Sequence, residues 1–308
     1  MGKKFSGASQ PLSRFRGWIQ AGAALLTNLH LPNFLKGGLY QGAGKNVCVP
    51  GLNCYSCPAA SGACPIGAFQ AVVGSSKFSF SYYITGFLIL LGVLLGRFIC
   101  GFLCPFGWFQ ELLHKIPTKK LSTKRLKPLT YLKYAVLLVM VFLLPAFLVN
   151  DVGMGDPFFC KYLCPQGVLE GAIPLSLANS GIRAALGSLF TWKFCILLAV
   201  IVLSVVFYRP FCKWLCPLGA FYALFNRVSL FQIKVDKNKC VSCGKCAGAC
   251  KMDVDVTKTP NHAECIRCGM CVRACPTSAV SFRYGFGDGK DKTKAAAMPQ
   301  KNNDNKEK

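Results

Sequence analysis

The chain has 308 residues, of which 53% are hydrophobic and 19 are cysteines, and it carries a formal net charge of +24. So apolar a composition excludes an ordinary soluble domain, and so many cysteines exclude incidental use as small core residues. The charge sits in short basic loops between apolar runs, with only Glu111, Asp151, Asp156 and Glu170 ahead of residue 232, which excludes a nucleic-acid groove and points to membrane topology.

Four spans are expected. Residues 18–35 are the weakest, because Gln20, Asn28, His30 and Pro32 interrupt them. A cleaved signal peptide is the rival there, since Lys3, Lys4, Arg14 and Arg16 precede a short apolar stretch. No small-x-small site follows Leu26, so an uncleaved helix is expected. Residues 78–99, 131–149 and 190–208 each approach the roughly 20 apolar residues that a bilayer requires. Lys133 and Lys193 lie near the starts of the last two, where a lysine can snorkel. The loop 115–133 holds seven basic residues and no acid, which makes it cytoplasmic. Parity then puts 36–77 and 150–189 outside. The N-terminus and everything after Tyr208 lie inside.

A phrase recurs four times along this part: Cys64-Pro-Ile-Gly-Ala-Phe-Gln, Cys104-Pro-Phe-Gly-Trp-Phe-Gln, Cys164-Pro-Gln-Gly-Val-Leu-Glu and Cys216-Pro-Leu-Gly-Ala-Phe-Tyr. A second cysteine precedes each, at Cys57, Cys100, Cys160 and Cys212. Proline suits the first turn of a helix, so each cysteine is expected at a helix N-terminus, whose positive end favours thiolate and an anionic cluster. Residues 108–116 read as a short amphipathic helix on the membrane face.

Two thiolates do not hold a cubane, so the repeats must pair. Topology pairs Cys100 and Cys104 with Cys212 and Cys216 as an inner set. It pairs Cys57 and Cys64 with Cys160 and Cys164 as an outer set. Cys48 and Cys54 are a surplus on the outer side: alternative ligands, or partners in a disulfide. Cys195, inside the last span, is expected to pack. Arg97 and Arg209 each precede the first inner cysteine by three residues. They compensate or hydrogen-bond a cluster, or else anchor helix ends. Both sets must sink into the ~30 Å hydrocarbon layer to exchange electrons directly.

Residues 232–284 hold Cys240-x2-Cys243-x2-Cys246-x3-Cys250 and Cys265-x2-Cys268-x2-Cys271-x3-Cys275-Pro276. In this spacing the fourth cysteine of each run serves the other cluster. Cluster A would take Cys240, Cys243, Cys246 and Cys275, and cluster B Cys265, Cys268, Cys271 and Cys250. Zinc prefers separated pairs over such triplets. The segment resembles bacterial-type 2[4Fe-4S] ferredoxins, with Lys251 where a proline usually follows. The fold expected is a mainly α, four-helix integral membrane domain at 1–231, an α+β ferredoxin-like domain at 232–284 and a disordered tail at 285–308.

The Cys-x3-Cys-Pro pairs at span ends, followed by a ferredoxin head, resemble the NapH family and the C-terminal membrane part of NosR over about residues 80–284. Cys100, Cys104, Cys212 and Cys216 match that family's cluster-binding pairs. The motif at Cys160 and Cys164 and the block from Cys48 to Cys64 depart from its simplest pattern. The resemblance implies a multi-pass protein of the prokaryotic cytoplasmic membrane with up to four [4Fe-4S] clusters. It would pass electrons between a cytoplasmic donor or the quinone pool and an extracytoplasmic redox partner, and would bind no nucleic acid. A regulatory or maturation factor for another metalloenzyme is the second reading. A membrane anchor bearing a ferredoxin head is the third. His30, His114 and His262 share no span, which excludes a multi-haem cytochrome b, and no Cys-x2-Cys-His motif attaches haem. His30 is a polar helix residue or a quinone contact.

Overall fold

A computed structural model describes residues 9–75, 81–151 and 153–285. The tail expected at 285–308 lies outside the described residues, apart from Gly285. The architecture is mainly helical, with one two-stranded sheet towards the C-terminus.

Two helices have the length and apolarity to cross a bilayer, Leu126–Phe147 and Ser188–Val206. Leu138, Phe142 and Leu143 on one, and Trp192, Leu198 and Val202 on the other, are exposed. Apolar faces left bare by the protein in this way fit a hydrocarbon neighbour. Cys195 was expected to pack but is exposed on the second of these helices.

The other two expected spans are realised as shorter helices. Tyr82–Leu95 has 14 residues and ends at Gly96, which is left-handed (φ 53°). Part of that expected span, residues 78–80, lies outside the described residues. Arg16–Thr27 has 12 residues, about 18 Å at 1.5 Å per residue. Its end has a local cause. Thr27 Oγ1 and Asn28 Nδ2 donate back to the carbonyls of Ala23 and Ala24 at 2.9 and 3.0 Å, which competes with further helix. Pro32 then opens a separate turn, Asn33–Lys36. His30 stacks on Tyr40, with ring centroids 3.7 Å apart.

The Cys-Pro phrases fold alike. Cys64, Cys104 and Cys216 are extended residues directly before the helices Pro65–Gly74, Pro105–His114 and Pro217–Phe225. Cys164 has the same conformation, and the carbonyl of Pro165 accepts from the N–H of Val168. Proline occupies a position whose N–H has no helical partner, so it fixes the start at little cost. Pro105–His114 is the amphipathic helix expected near residue 108. Two five-residue helices, Phe98–Phe102 and Pro210–Trp214, carry Cys100 and Cys212.

In the head, strand β1 (Phe231–Val235) pairs antiparallel with β2 (Val280–Tyr284), with Ile233 opposite Phe282. Between them the two cysteine runs share one backbone course. Ser242 and Arg267, Gly244 and Gly269, and Asp253 and Ser278 are matched pairs of left-handed residues. Such turns fold a short chain around a compact centre.

The head is fastened to the helical part by buried polar contacts. Arg267 donates to the carbonyls of Leu95 (2.8 Å) and Asn226 (2.6 Å) and to Ser229 Oγ (2.6 Å). A Cβ at Gly96 would lie 2.7 Å from its guanidinium, so glycine there answers to close approach as well as to φ. Arg97 Nη1 meets Glu264 Oε2 at 2.9 Å, and Lys133 Nζ pairs with the same carboxylate. Lys133 therefore does not snorkel as expected. It is fully buried, and the carboxylate of the head neutralises it. Burial opposes the ionised form of Glu264, but Arg97 and Lys133 hold it below the usual carboxylate range. One apolar core, including Ile66, Phe106, Phe211, Ile266 and Phe282, runs through both parts.

Candidate metal centres

In the head, Cys265 lies within electrostatic reach of Cys268 and Cys250, and Cys271 within reach of all three. Cys246 neighbours Cys275. The fourth cysteine of each run thus stands with the other run. Cys240 is half-buried and Cys243 exposed, at the outer edge of the head. Burial and then the charges of Cys268 and Cys250 push the Cys265 thiol up. Four thiolates in such a pocket need cationic compensation.

The inner set comes together from two distant repeats. Cys104 neighbours Cys212 and Cys100, and Cys216 neighbours all three. The arginines are exchanged between the repeats. Arg97 donates to the carbonyl of Cys212 at 3.4 Å, and Arg209 donates to that of Cys100. Glu111 faces Arg209 at 2.9 Å and also pairs with Arg16. Each arginine thus binds the backbone of the partner repeat, and each has an acidic counter-ion. The Arg209 guanidinium also accounts for glycine at position 107, where a Cβ would lie 2.9 Å from Nη1.

The outer set contains Cys64, Cys160 and Cys164, with Cys160 in reach of the other two and of Cys54. Cys54 in turn neighbours Cys164 and Cys64. The expected fourth member, Cys57, points elsewhere. Its Sγ lies 3.6 Å from Asn28 Oδ1, and its leading electrostatic neighbours are Glu170 and Lys45. Glu170 Oε2 accepts the N–H of Cys54 at 3.0 Å and so fixes that residue beside the group. Cys48 is buried beside Cys64. All the cysteines are free thiols, so no disulfide joins Cys48 to Cys54.

Four residues that sequence reasoning missed close the repeat phrases. Gln70 and Gln110 reach the sulfurs of Cys160 (3.2 Å) and Cys212 (3.1 Å). Glu170 holds Cys54, and the Tyr222 hydroxyl donates to the carbonyl of Pro50 at 3.1 Å. Their signal was present, as the last letter of each aligned phrase.

The three sites abut. The Ile266 carbonyl lies 2.3 Å from where a Cβ of Gly101 would stand, so the cluster B loop rests on the inner set. The segment 50–54 fills the next gap: a Cβ at Gly51 would lie 2.8 Å from Cys104 Cα. Tyr222 lies within reach of Cys100, Cys104, Cys64 and Cys48 together. The inner and outer sets are adjacent, not separated by the thickness of a bilayer.

The donors gathered at these sites are soft thiolates, the ligand type of iron–sulfur clusters. Arg97 Nε and Arg209 Nη2 are buried donors without a hydrogen-bond partner in the protein. Such orphaned cationic donors beside the inner set suit an anionic occupant.

Comparison with known proteins agrees. The 4Fe-4S binding domain family matches four times, at residues 62–82, 79–124, 133–173 and 189–238, and a second 4Fe-4S binding domain matches 259–281. This chain belongs to the 4Fe-4S binding domain family. Each of the first four matches contains one Cys-Pro phrase, so the family is read on the Cys-Pro repeats as well as on the head. An uncharacterized protein of Methanocaldococcus jannaschii is 32% identical over 65% of this chain and 77% of its own. The regulatory protein NosR of Stutzerimonas stutzeri is 28% identical over 52% of this chain and 21% of its own. The ferredoxin-type protein NapH of Haemophilus influenzae is 26% identical over 36% and 53%. The resemblance to NapH and NosR is thus confirmed. No solved structure matches the chain.

Proposed function

We propose that this family member is an electron-transfer protein of the prokaryotic cytoplasmic membrane, linking a cytoplasmic donor or the quinone pool to an extracytoplasmic redox partner. Cys240, Cys243, Cys246 and Cys275 would hold one [4Fe-4S] cluster, and Cys250, Cys265, Cys268 and Cys271 a second. Cys100, Cys104, Cys212 and Cys216 would hold a third, and Cys54, Cys64, Cys160 and Cys164 a fourth. Bound clusters of this kind supply one-electron carriers whose potentials the surrounding hydrogen bonds tune. The observation that carries the reading is continuity: the Ile266 carbonyl rests on Gly101, Gly51 packs against Cys104, and Tyr222 lies within electrostatic reach of Cys100, Cys104 and Cys64.

The protein supplies positioning and charge. Arg97 and Arg209 tie the two inner repeats together, and Glu264 and Glu111 neutralise the buried cations that this needs. Four crossings are retained, two by the long helices and two by the shorter ones, whose ends the inward-folded Cys-Pro segments would complete. A domain border near residue 231 follows the start of β1. Quinone has a candidate seat, a cavity of about 280 Å³ lined by Asn28, Leu31, Phe34, Cys57, Trp108 and Glu170, beside the outer set. The kinship with a protein named as regulatory favours a second reading, in which the same clusters report redox state to another system.

Iron and acid-labile sulfide analysis with EPR of the purified full chain tests the main reading. Four clusters are expected, and fewer than three would overturn the membrane sets. Reduction of the clusters by added quinol is expected. Sided thiol labelling of Lys119→Cys and Arg183→Cys, each at an exposed position, tests the topology, and the two are expected to be reached from opposite faces.

A further inference from the structure

The sixth residue after each Cys-Pro cysteine does something the repeat pattern alone does not explain. In the two leading repeats it is glutamine, and both glutamines are fully buried. Gln70 Nε2 donates to Cys160 Sγ at 3.2 Å, while Gln70 Oε1 accepts the N–H of Phe159 at 3.0 Å. Gln110 Nε2 donates to Cys212 Sγ at 3.1 Å, while Gln110 Oε1 accepts the N–H of Phe211 at 3.2 Å. Each amide nitrogen also donates to the carbonyl four residues earlier, Ile66 or Phe106, at 3.3 Å. Two copies of the repeat therefore build one arrangement, atom for atom, at the inner and the outer set.

The arrangement fixes its own orientation. A flipped amide would set oxygen against the Ile66 or Phe106 carbonyl and nitrogen against a backbone N–H, losing every bond. The N–H facing the sulfur is thus dictated by the backbone around it. An iron-bound thiolate is an acceptor only, and a buried N–H directed at it favours the more reduced, more negative state of the centre. In the trailing repeats the same position holds Glu170 and Tyr222, which bind the segment 50–54 instead of a sulfur. The glutamines always point from a leading repeat to the first cysteine of its partner, so they select which repeats pair.

We propose that Gln70 and Gln110 are matched positioning residues, each clamping the first cysteine of the partner repeat and raising the reduction potential of the cluster that this cysteine helps to hold. The proposal rests on the cluster reading of the membrane sets. It adds two residues outside the ligands, and a direction.

The test uses the full chain in detergent, with EPR-monitored redox titration of the wild type and of Gln110→Glu, Gln110→Met, Gln70→Glu and Gln70→Met. Glutamate keeps the acceptor for the Phe N–H and loses the donor to sulfur. Methionine keeps the length and loses both. With iron content unchanged, either Gln110 variant should shift one membrane signal to a more negative potential, and the Gln70 variants should shift the other. Both head signals should stay in place. Should a variant lose its cluster, wild-type protein labelled with nitrogen-15 at the glutamine side-chain amide still decides. Hyperfine spectroscopy should then find that nitrogen coupled to both membrane centres. Potentials unmoved in iron-replete variants, or no coupling in the labelled wild type, would overturn the clamp and leave the cluster reading standing. A wild type holding only the two head clusters would overturn both.

Discussion

The head and the membrane part each gather eight cysteines, but by opposite means. In the head every proposed ligand lies between Cys240 and Cys275, on two runs that share matched left-handed turns. In the helical part each proposed set draws on repeats that lie far apart in the chain. Those pairings depend on Arg97 and Arg209 binding each other's cysteine carbonyls, and on Glu170 holding Cys54. A short-range site is encoded in spacing. A long-range site is encoded in the contacts that pair its halves, and its failures should be shared across the chain.

The largest effect should come from breaking a pair. Cys100→Ser and Cys212→Ser should each remove the same inner cluster, about a quarter of the iron in a four-cluster protein. The double variant should lose no more than either alone. Iron analysis with EPR reads this, and additive losses would separate the two repeats. Next in size is the contrast at the outer set. Cys54→Ser should lose the outer signal, whereas Cys57→Ser should retain it. The reverse outcome would restore Cys57 as the ligand.

Smaller effects should follow at the contacts between the two regions. Glu264→Ala leaves Arg97 and Lys133 buried without their carboxylate, which should cost about 3–5 kcal/mol. Thermal unfolding in detergent should show the loss, and limited proteolysis should release the head. A variant as stable as the wild type would mean that the head is held by other contacts. Smallest is Tyr222→Phe, which keeps the ring and loses the bond to the Pro50 carbonyl, about 1 kcal/mol. Its expected signature is a slightly lower unfolding midpoint with all clusters present.

The sequence reading reached furthest where physics is local. The ferredoxin spacing, the helix starts after Cys-Pro, and the two long apolar helices were all legible, because each depends on neighbours within a few residues. The short first helix was less so. Its apolar stretch resembles a span, but Asn28 and Thr27 end it by bonding the preceding turn, a choice that hydropathy does not record. Lys133 was misread because its partner, Glu264, lies far along the chain. The choice between Cys54 and Cys57 was undecidable from spacing, since both precede Cys64 at workable intervals. Cys54 is held beside the set by one carboxylate, Glu170, supplied by another repeat. The nearness of the inner and outer sets was hidden for the same reason: topology assigns sides, but the segment 50–54 packs against Cys104 and is held by Tyr222.

The seat of Arg267 against Leu95, Asn226 and Ser229 has a consequence for how the molecule is made. A ribosome delivers the helices and both inner repeats before Arg267 emerges. Until then the carbonyls of Leu95 and Asn226 lack the guanidinium that binds them, and Gly101 lacks the Ile266 carbonyl that rests on it. The last cysteine run is therefore the piece that joins head to helices, and the two parts acquire their common polar seat only once that run has been made.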